Sequence, residues 1–422
     1  MTVARPDSSR GETALRFPCF LPDGRHFLYV SLPRRRGLLE VHVGALDSKE
    51  TRGVMTAGSA PVYAEPGYVL FEHNGRLVAQ RFDRLRLRLA GKAVPLGDAP
   101  PPAGYDGAPL LCPPAKGELA HVTANIPNTQ LTWLDRTGRP TGTVPLPPGR
   151  YDSPSLSPDG RRAAVLKLGA GAFGDLWAVD LERAVASPLT FDGAVQSPFC
   201  WSPDGSRIAF SATPSGPFDI YQVLAGGTGR PEPLLQSSVA LKQPEVWSPD
   251  GKYLGYGQLC EATRWDVWLL PLQGERKGVP YLRTPFNEFG AAVSPDGRWM
   301  AYSSDETGTS EVYVCSFPVP GEKHRVSISG GTGAQWSRDG RELLIWTGGS
   351  LSNTIGPVLS ADMQTTPSFR AGTPHRLFTP RQDLAGIVAT ADLKRFLAAV
   401  PVQGSAPPSI TVMLNWQAAL KR

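Results

Sequence analysis

Apolar and polar residues alternate along this chain in short stretches. Arg207-Ile208-Ala209-Phe210-Ser211 and Arg298-Trp299-Met300-Ala301-Tyr302 have the period of half-buried strands. Each follows a copy of the tetrapeptide Ser-Pro-Asp-Gly, which begins at Ser157, Ser202, Ser248 and Ser294. Leu21-Pro22-Asp23-Gly24 and Ser337-Arg338-Asp339-Gly340 differ from it by one residue, and Ala391-Asp392-Leu393-Lys394 is a worn copy. The residue before the turn aspartate stands at 158, 203, 249, 295, 338 and 391, a period near 45 that matches one four-stranded propeller blade. The tetrapeptide has the chemistry of a tight hairpin. Proline presets φ at the first turn position, aspartate accepts from a nearby backbone N–H, and glycine takes the positive φ that closes the turn. A motif present in unit after unit is a turn, so these aspartates are read as structural.

A second mark keeps phase with the first. Asp175-Leu176-Trp177, Asp219-Ile220-Tyr221, Asp266-Val267-Trp268 and Glu311-Val312-Tyr313 each stand 15 or 16 residues after the turn aspartate of the same unit. This spacing marks a third strand, whose aromatic residues can pack between blades. Ser187-Pro188-Leu189-Thr190 and Pro233-Leu234-Leu235 follow as weak fourth strands. The first third repeats less clearly, with units at 17–56, 60–97 and 107–145. The fold expected is all-β: a β-propeller of four-stranded blades with about nine blade-like units. Nine exceeds the usual ring of about four to eight. The expected division is a flexible segment over 1–16, three divergent blades over 17–146 that cannot close alone, and a six-bladed ring over 147–422.

Composition adjusts this picture little. The 422 residues are 41% apolar, and Gly 45 and Pro 42 are numerous, as periodic turns require. Net charge is +5, from 43 basic and 38 acidic residues, too mild to imply a nucleic-acid partner. Arg34-Arg35-Arg36 reads as a solvated hairpin tip, and Arg84, Arg86 and Arg88 as an exposed strand face. Cys19, Cys112, Cys200, Cys260 and Cys315 are odd in number and far apart, unlike a disulfide framework or a zinc site, and read as small core fillers. Residues 1–13 lack the apolar run of a signal peptide, and no stretch of about 18 apolar residues suits a membrane span.

Several runs together resemble a known family. They are Arg10-Gly11-Glu12-Thr13 leading to Phe20-Leu21-Pro22-Asp23-Gly24-Arg25-His26-Phe27-Leu28-Tyr29, Gly44 to Arg52, Gln130 to Gly138, Phe286-Asn287-Glu288-Phe289, and Ile410 to Trp416. The chain resembles the TolB-like propeller region that lies C-terminal to the membrane helix in bacterial serine/threonine protein kinases. The resemblance implies a sensor or interaction module outside the cytoplasm. The chain itself carries neither the kinase domain nor the membrane helix.

Catalytic motifs were sought among the residues. Gly169-Ala170-Gly171-Ala172-Phe173-Gly174 spells a dinucleotide fingerprint, but it runs into a strand instead of a helix and reads as a hairpin loop. Gly-x-Ser-x-Gly, the nucleophile elbow of propeller peptidases, does not occur. His26, His42, His73, His121, His324 and His375 are scattered without metal-ligand spacing. The expectation is therefore a non-enzymatic binding or sensor propeller with no catalytic residues, metal or cofactor. It would take a protein or small-molecule ligand at the ring face, bind no nucleic acid and insert into no membrane. By blade phase, Asp152, Gln196, Lys242 and Glu288 would line the channel mouth. A propeller hydrolase or lyase with carboxylates at the channel, and a truncated sensor fragment, are the alternatives.

Overall fold

The Ser-Pro-Asp-Gly turns join the first and second strands of each blade, and serine does more in them than the sequence pattern shows. Ser202 Oγ donates to Asp204 Oδ1 at 2.5 Å and accepts from the Arg207 amide at 2.9 Å, while Asp204 Oδ1 accepts from the Ser206 amide at 3.0 Å. The same bonds recur at Ser157, Ser248, Ser294 and Ser337, each serine buried. The worn copy keeps the device with a threonine. Thr390 Oγ1 donates to Asp392 Oδ1 at 2.6 Å and accepts from the Arg395 amide at 3.1 Å. Leu393, in the glycine position, takes φ 55°, where Gly160, Gly205 and Gly251 have 67–72°.

The computed structural model describes residues 12–33, 39–73, 76–98, 111–115, 118–123, 127–169, 174–213, 218–237, 239, 241–260, 263–348, 355–381, 384–402 and 409–421. The Arg34-Arg35-Arg36 run and the centre of the Gly169–Gly174 loop lie outside these residues. The described chain is strands almost throughout, with one short 3-10 helix at Trp416–Lys421.

Six blades form a closed ring, the first two joined into one eight-stranded sheet where Gly174 pairs with Val195. Blades 1 to 4 each use four strands in sequence order, beginning at Tyr151, Val195, Lys242 and Glu288. Blade 5 begins at Gly333 and ends on His375–Phe378. Blade 6 is composite. Its inner strands Ile387–Ala389 and Phe396–Pro401 are completed by Thr129–Leu134 and Pro140–Thr143 from before blade 1. Leu131 pairs with Ala399 and Trp133 with Leu397, antiparallel. Packing closes the circle as well, because each of the six seams holds its own apolar cluster. Leu166 and Leu176 meet Phe199 and Phe210 at the seam of blades 1 and 2. The next two seams bring Ile220 to Leu254 and Val267 to Tyr302. Blades 4 and 5 share Val312 and Leu343, blades 5 and 6 share Val358 and Phe396, and blades 6 and 1 share Leu397 and Val165. Tyr221 and Tyr313, from the third-strand mark, sit in these clusters as expected.

Three further sheets stand outside the ring. Two are four-stranded, over Glu12–Ala57 and Val62–Asp98. The third combines Leu111–Ala115 and Glu118–Thr123 with Ser409–Met413 from the far end of the chain. Trp416, 1% exposed, packs there against Leu70, Leu77 and Leu119.

Two sequence expectations change. The segment 1–16 is not flexible throughout, since Glu12–Phe20 is a strand in which Arg16 pairs with Val30. The unit at 107–145 divides: residues 118–123 pair with 409–413, whereas 129–134 pair with 396–401. The ring thus draws strands from both sides of residue 146, and 409–413 lies outside it. Repeat spacing counts hairpins, whereas these pairings join strands more than 250 residues apart.

Candidate ligand-binding site

In blades 1, 2 and 4 the acidic residue that opens the third strand ties that strand to the loop leading into the next blade. Asp175 Oδ1 accepts from Thr190 Oγ1 at 3.1 Å and from the Gly193 amide at 2.8 Å. Asp219 Oδ1 accepts from the Ser237 amide at 3.2 Å and lies 2.9 Å from Lys242 Nζ. Glu311 accepts from Ser327 Oγ, the Gly330 amide and Arg325. Asp266, fully buried, accepts from Thr263 Oγ1 at 2.7 Å. These acids order the ring face formed by the connections between blades and by the hairpins between second and third strands. Their periodic spacing was visible in the sequence, but their acceptors' partners were not.

The four residues expected at the channel mouth share this region without forming a common lining. Lys242 is 0% exposed, paired with Asp219 and donating to the Val239 carbonyl at 2.8 Å; burial pulls its pKa down while Asp219 opposes the shift. Glu288 is 1% exposed, takes hydrogen bonds from the Thr284 hydroxyl and amide, and has its pKa raised by burial. Asp152 is half-buried and accepts from Ser153 Oγ at 2.5 Å; burial raises its pKa too. Gln196 pairs with Ser211 through its strand, and its side chain lies outside the described residues. Across the ladders Asp152 and Gln196 pair with Leu166 and Ser211, nine residues after their turn serines, whereas Lys242 and Glu288 pair with Gln258 and Ser304, ten after theirs. In a strand, one residue of phase reverses the facing side. The position matching Lys242 and Glu288 in blade 1 is Tyr151, also buried.

A carboxylate that the sequence reading passed over joins blades 3 and 4. Glu245, partly exposed on the innermost strand of blade 3, accepts from the Gly290 amide at 3.0 Å and the Ala291 amide at 2.8 Å. Both amides belong to an irregularity in the first strand of blade 4, between Phe289 and Ala292. Enclosure by surrounding protein raises the Glu245 pKa to about 6, against the pull of the two amides. Gly290 has φ 69°, and a Cβ there would lie 3.4 Å from Gly333 Cα and from the Thr332 carbonyl. A side chain would therefore strain both the backbone and the approach of blade 5.

Beside this clamp is a cavity of about 710 Å³, lined by Leu259, Arg264 and Trp265 of blade 3, Asn287, Phe289, Asp305, Gly308 and Ser310 of blade 4, and Thr332 before blade 5. Its volume falls within the range of small-ligand pockets. Its rim is braced. Asn287 donates through its amide nitrogen and side chain to Asp305 at 2.9 and 2.6 Å, and Asn287 Oδ1 accepts from the Trp265 amide at 3.4 Å. The brace ties the blade 3 hairpin to that of blade 4 and fixes an aromatic wall. The run Phe286 to Phe289 was noticed in the sequence only as part of a resemblance. No helix among the described residues is long and apolar enough to cross a membrane.

No protein-family model matches the chain. Among solved structures it is similar to a TolB of Agrobacterium tumefaciens, at 18% identity and TM-score 0.53, over 65% of this chain and 99% of that one. It is also similar to TolB of Acinetobacter baumannii, at 13% identity and TM-score 0.45, over 75% and 82%. The Agrobacterium similarity supports the β-propeller fold and bears on the TolB-like part of the expected resemblance; it says nothing of a kinase. Among curated proteins the chain is 25% identical over 197 residues to the uncharacterized peptidase YuxL of Bacillus subtilis (strain 168). That match takes in 37% of this chain and 30% of the relative, so the chain spans less than a third of that protein's length. The expectation that the protein is no enzyme is corrected by this match. The absence of a known catalytic motif describes residue spacing and does not decide whether a chain takes part in catalysis.

Proposed function

We propose that this propeller recognises peptides for a peptide-hydrolysing system, binding them on the ring face at the cavity between blades 3 and 4. The observation that carries the reading is the braced cavity itself: Trp265, Phe289 and Leu259 offer apolar surface beside polar groups held in place by Asn287 and Asp305. Aromatic walls with a few fixed polar groups suit a side chain and its flanking backbone. The similarity to an uncharacterized peptidase supports peptides as the class of ligand, and the propeller fold commonly binds at a ring face.

The test is binding of a random octapeptide pool to the full chain by fluorescence anisotropy. Trp265→Ala removes the aromatic wall from a half-buried position, and the expected result is binding about tenfold or more weaker with secondary structure retained. Absence of binding by the unaltered protein, or equal binding by the variant, would overturn the proposal.

A further inference from the structure

One charged group on the rim of the cavity has no ion-pair partner among the described residues. Arg264 is exposed on its rim at the start of the third strand of blade 3, and among the described residues no carboxylate lies within ion-pair distance of it. The nearby acids among the described residues face other groups. Asp305 is held by Asn287, and Asp266 lies against Thr263 with Arg283 Nε 3.7 Å from its Oδ2. Arg264 also has φ 69°, in the left-handed region that an arginine enters only at an energetic cost. Its neighbour Trp265 is tied through its amide to Asn287. The indole N–H of Trp265 has no hydrogen-bond partner among the described residues. Trp265 and Phe289 line the same hollow.

A cation next to an apolar wall calls for an anionic acceptor attached to an apolar group. We infer that the site reads the C-terminal end of a peptide, with Arg264 taking the terminal carboxylate and Trp265 and Phe289 enclosing an apolar last side chain. Arginine suits this role because its planar fork can give two parallel N–H bonds to one carboxylate. Backbone strain maintained at an exposed cation is a cost that ligand binding would offset. The inference rests on the peptide-binding reading above and adds to it which end of the peptide is held.

The experiment compares two octapeptide pools of random sequence ending in leucine or phenylalanine, one with a free C-terminal carboxylate and one amidated. Binding to the full chain is followed by fluorescence anisotropy at low and moderate salt. The expected result is a preference of about tenfold for the free acid, diminished by salt. Arg264→Gly should abolish that preference, so that the free-acid pool binds no better than the amidated one. The same variant should melt at a higher temperature, because glycine accepts the positive φ without cost. Arg264→Lys should retain part of the preference. Equal binding of acid and amide pools, both weakened by Trp265→Ala, would overturn this inference and leave peptide binding intact. Failure of both pools to bind would overturn the two together. A preference for the free acid that survives in Arg264→Gly would also overturn the role assigned to Arg264.

Discussion

At the scale of single residues, small polar groups do much of the work that the repeat advertises. The turn serine serves as acceptor for the amide five residues on and as donor to the turn aspartate, from a buried position. Ser202→Ala strips both bonds from a site closed to water. Its expected cost is about 1 to 2 kcal/mol, read as a lower midpoint in urea unfolding. Ser202→Thr should be close to neutral, because Thr390 already fills the equivalent place in blade 6. Glu245 makes a prediction of opposite kind. Its pKa in the folded protein, about 6, stands above the ordinary 4.5, so the folded state holds the proton more tightly. The stability it contributes is fully present below about pH 4.5 and is lost as pH rises through about 6. Between pH 4.5 and 7 the unaltered protein should therefore lose more stability than Glu245→Gln, in paired melting curves. Asp204 works in the other direction and in another window. Its turn hydrogen bonds lower its pKa to about 2, so its contribution is lost only as the solution falls through strongly acid pH.

At the scale of the element, the blade is the unit that can be recognised but not the unit that is stable. Each four-stranded sheet leaves apolar residues on both faces, and the six seam clusters show where they are covered. The composite blade is therefore as much a structural member as the continuous ones. Leu397, 0% exposed, pairs with Trp133 across its joint and packs on Val165 of blade 1. Leu397→Ala is expected to cost about 2 to 5 kcal/mol, as a buried leucine does. Leu254→Ala in blade 3, also at 0% exposure, should cost a similar amount. Urea unfolding of both variants checks this. If Leu397→Ala costs under about 1 kcal/mol while Leu254→Ala shows the full loss, the joint does not hold the ring.

At the scale of the whole molecule, the path of the chain is the distinguishing feature. It leaves the third outer sheet at residue 123, enters blade 6 at 129, circuits the ring, returns to blade 6 at 396–401 and pairs again with the outer sheet at 409–413. Both composite sheets thus bind early residues to late ones. The proposed peptide site depends on the same long-range order, since its lining comes from blades 3 and 4 and from the approach to blade 5. A loosened ring would be expected to weaken peptide binding even where no lining residue is changed.

The repeat, the turn chemistry and the third-strand aromatics were legible from residues alone because each depends on neighbours within a few positions. A hairpin writes its own signature: proline, aspartate and glycine must stand where φ and the amides require them. The third-strand acids were legible by spacing, yet their use was not, since Thr190, Lys242 and Ser327 reach them only after the next connection folds back. Asp152, Gln196, Lys242 and Glu288 were grouped by phase, and one residue of phase was enough to send Asp152 to a different side from Lys242 and Glu288. Glu245 and Arg264 carried no signal at all. The first matters through two amides some 45 residues on, in the next blade, and the second through a hollow that exists only between blades. Sequence alone determined the blade and its turns, which are local hydrogen-bonding problems. Tertiary structure decided which strands close the ring and where a ligand can enter, because those depend on contacts between residues far apart in the chain.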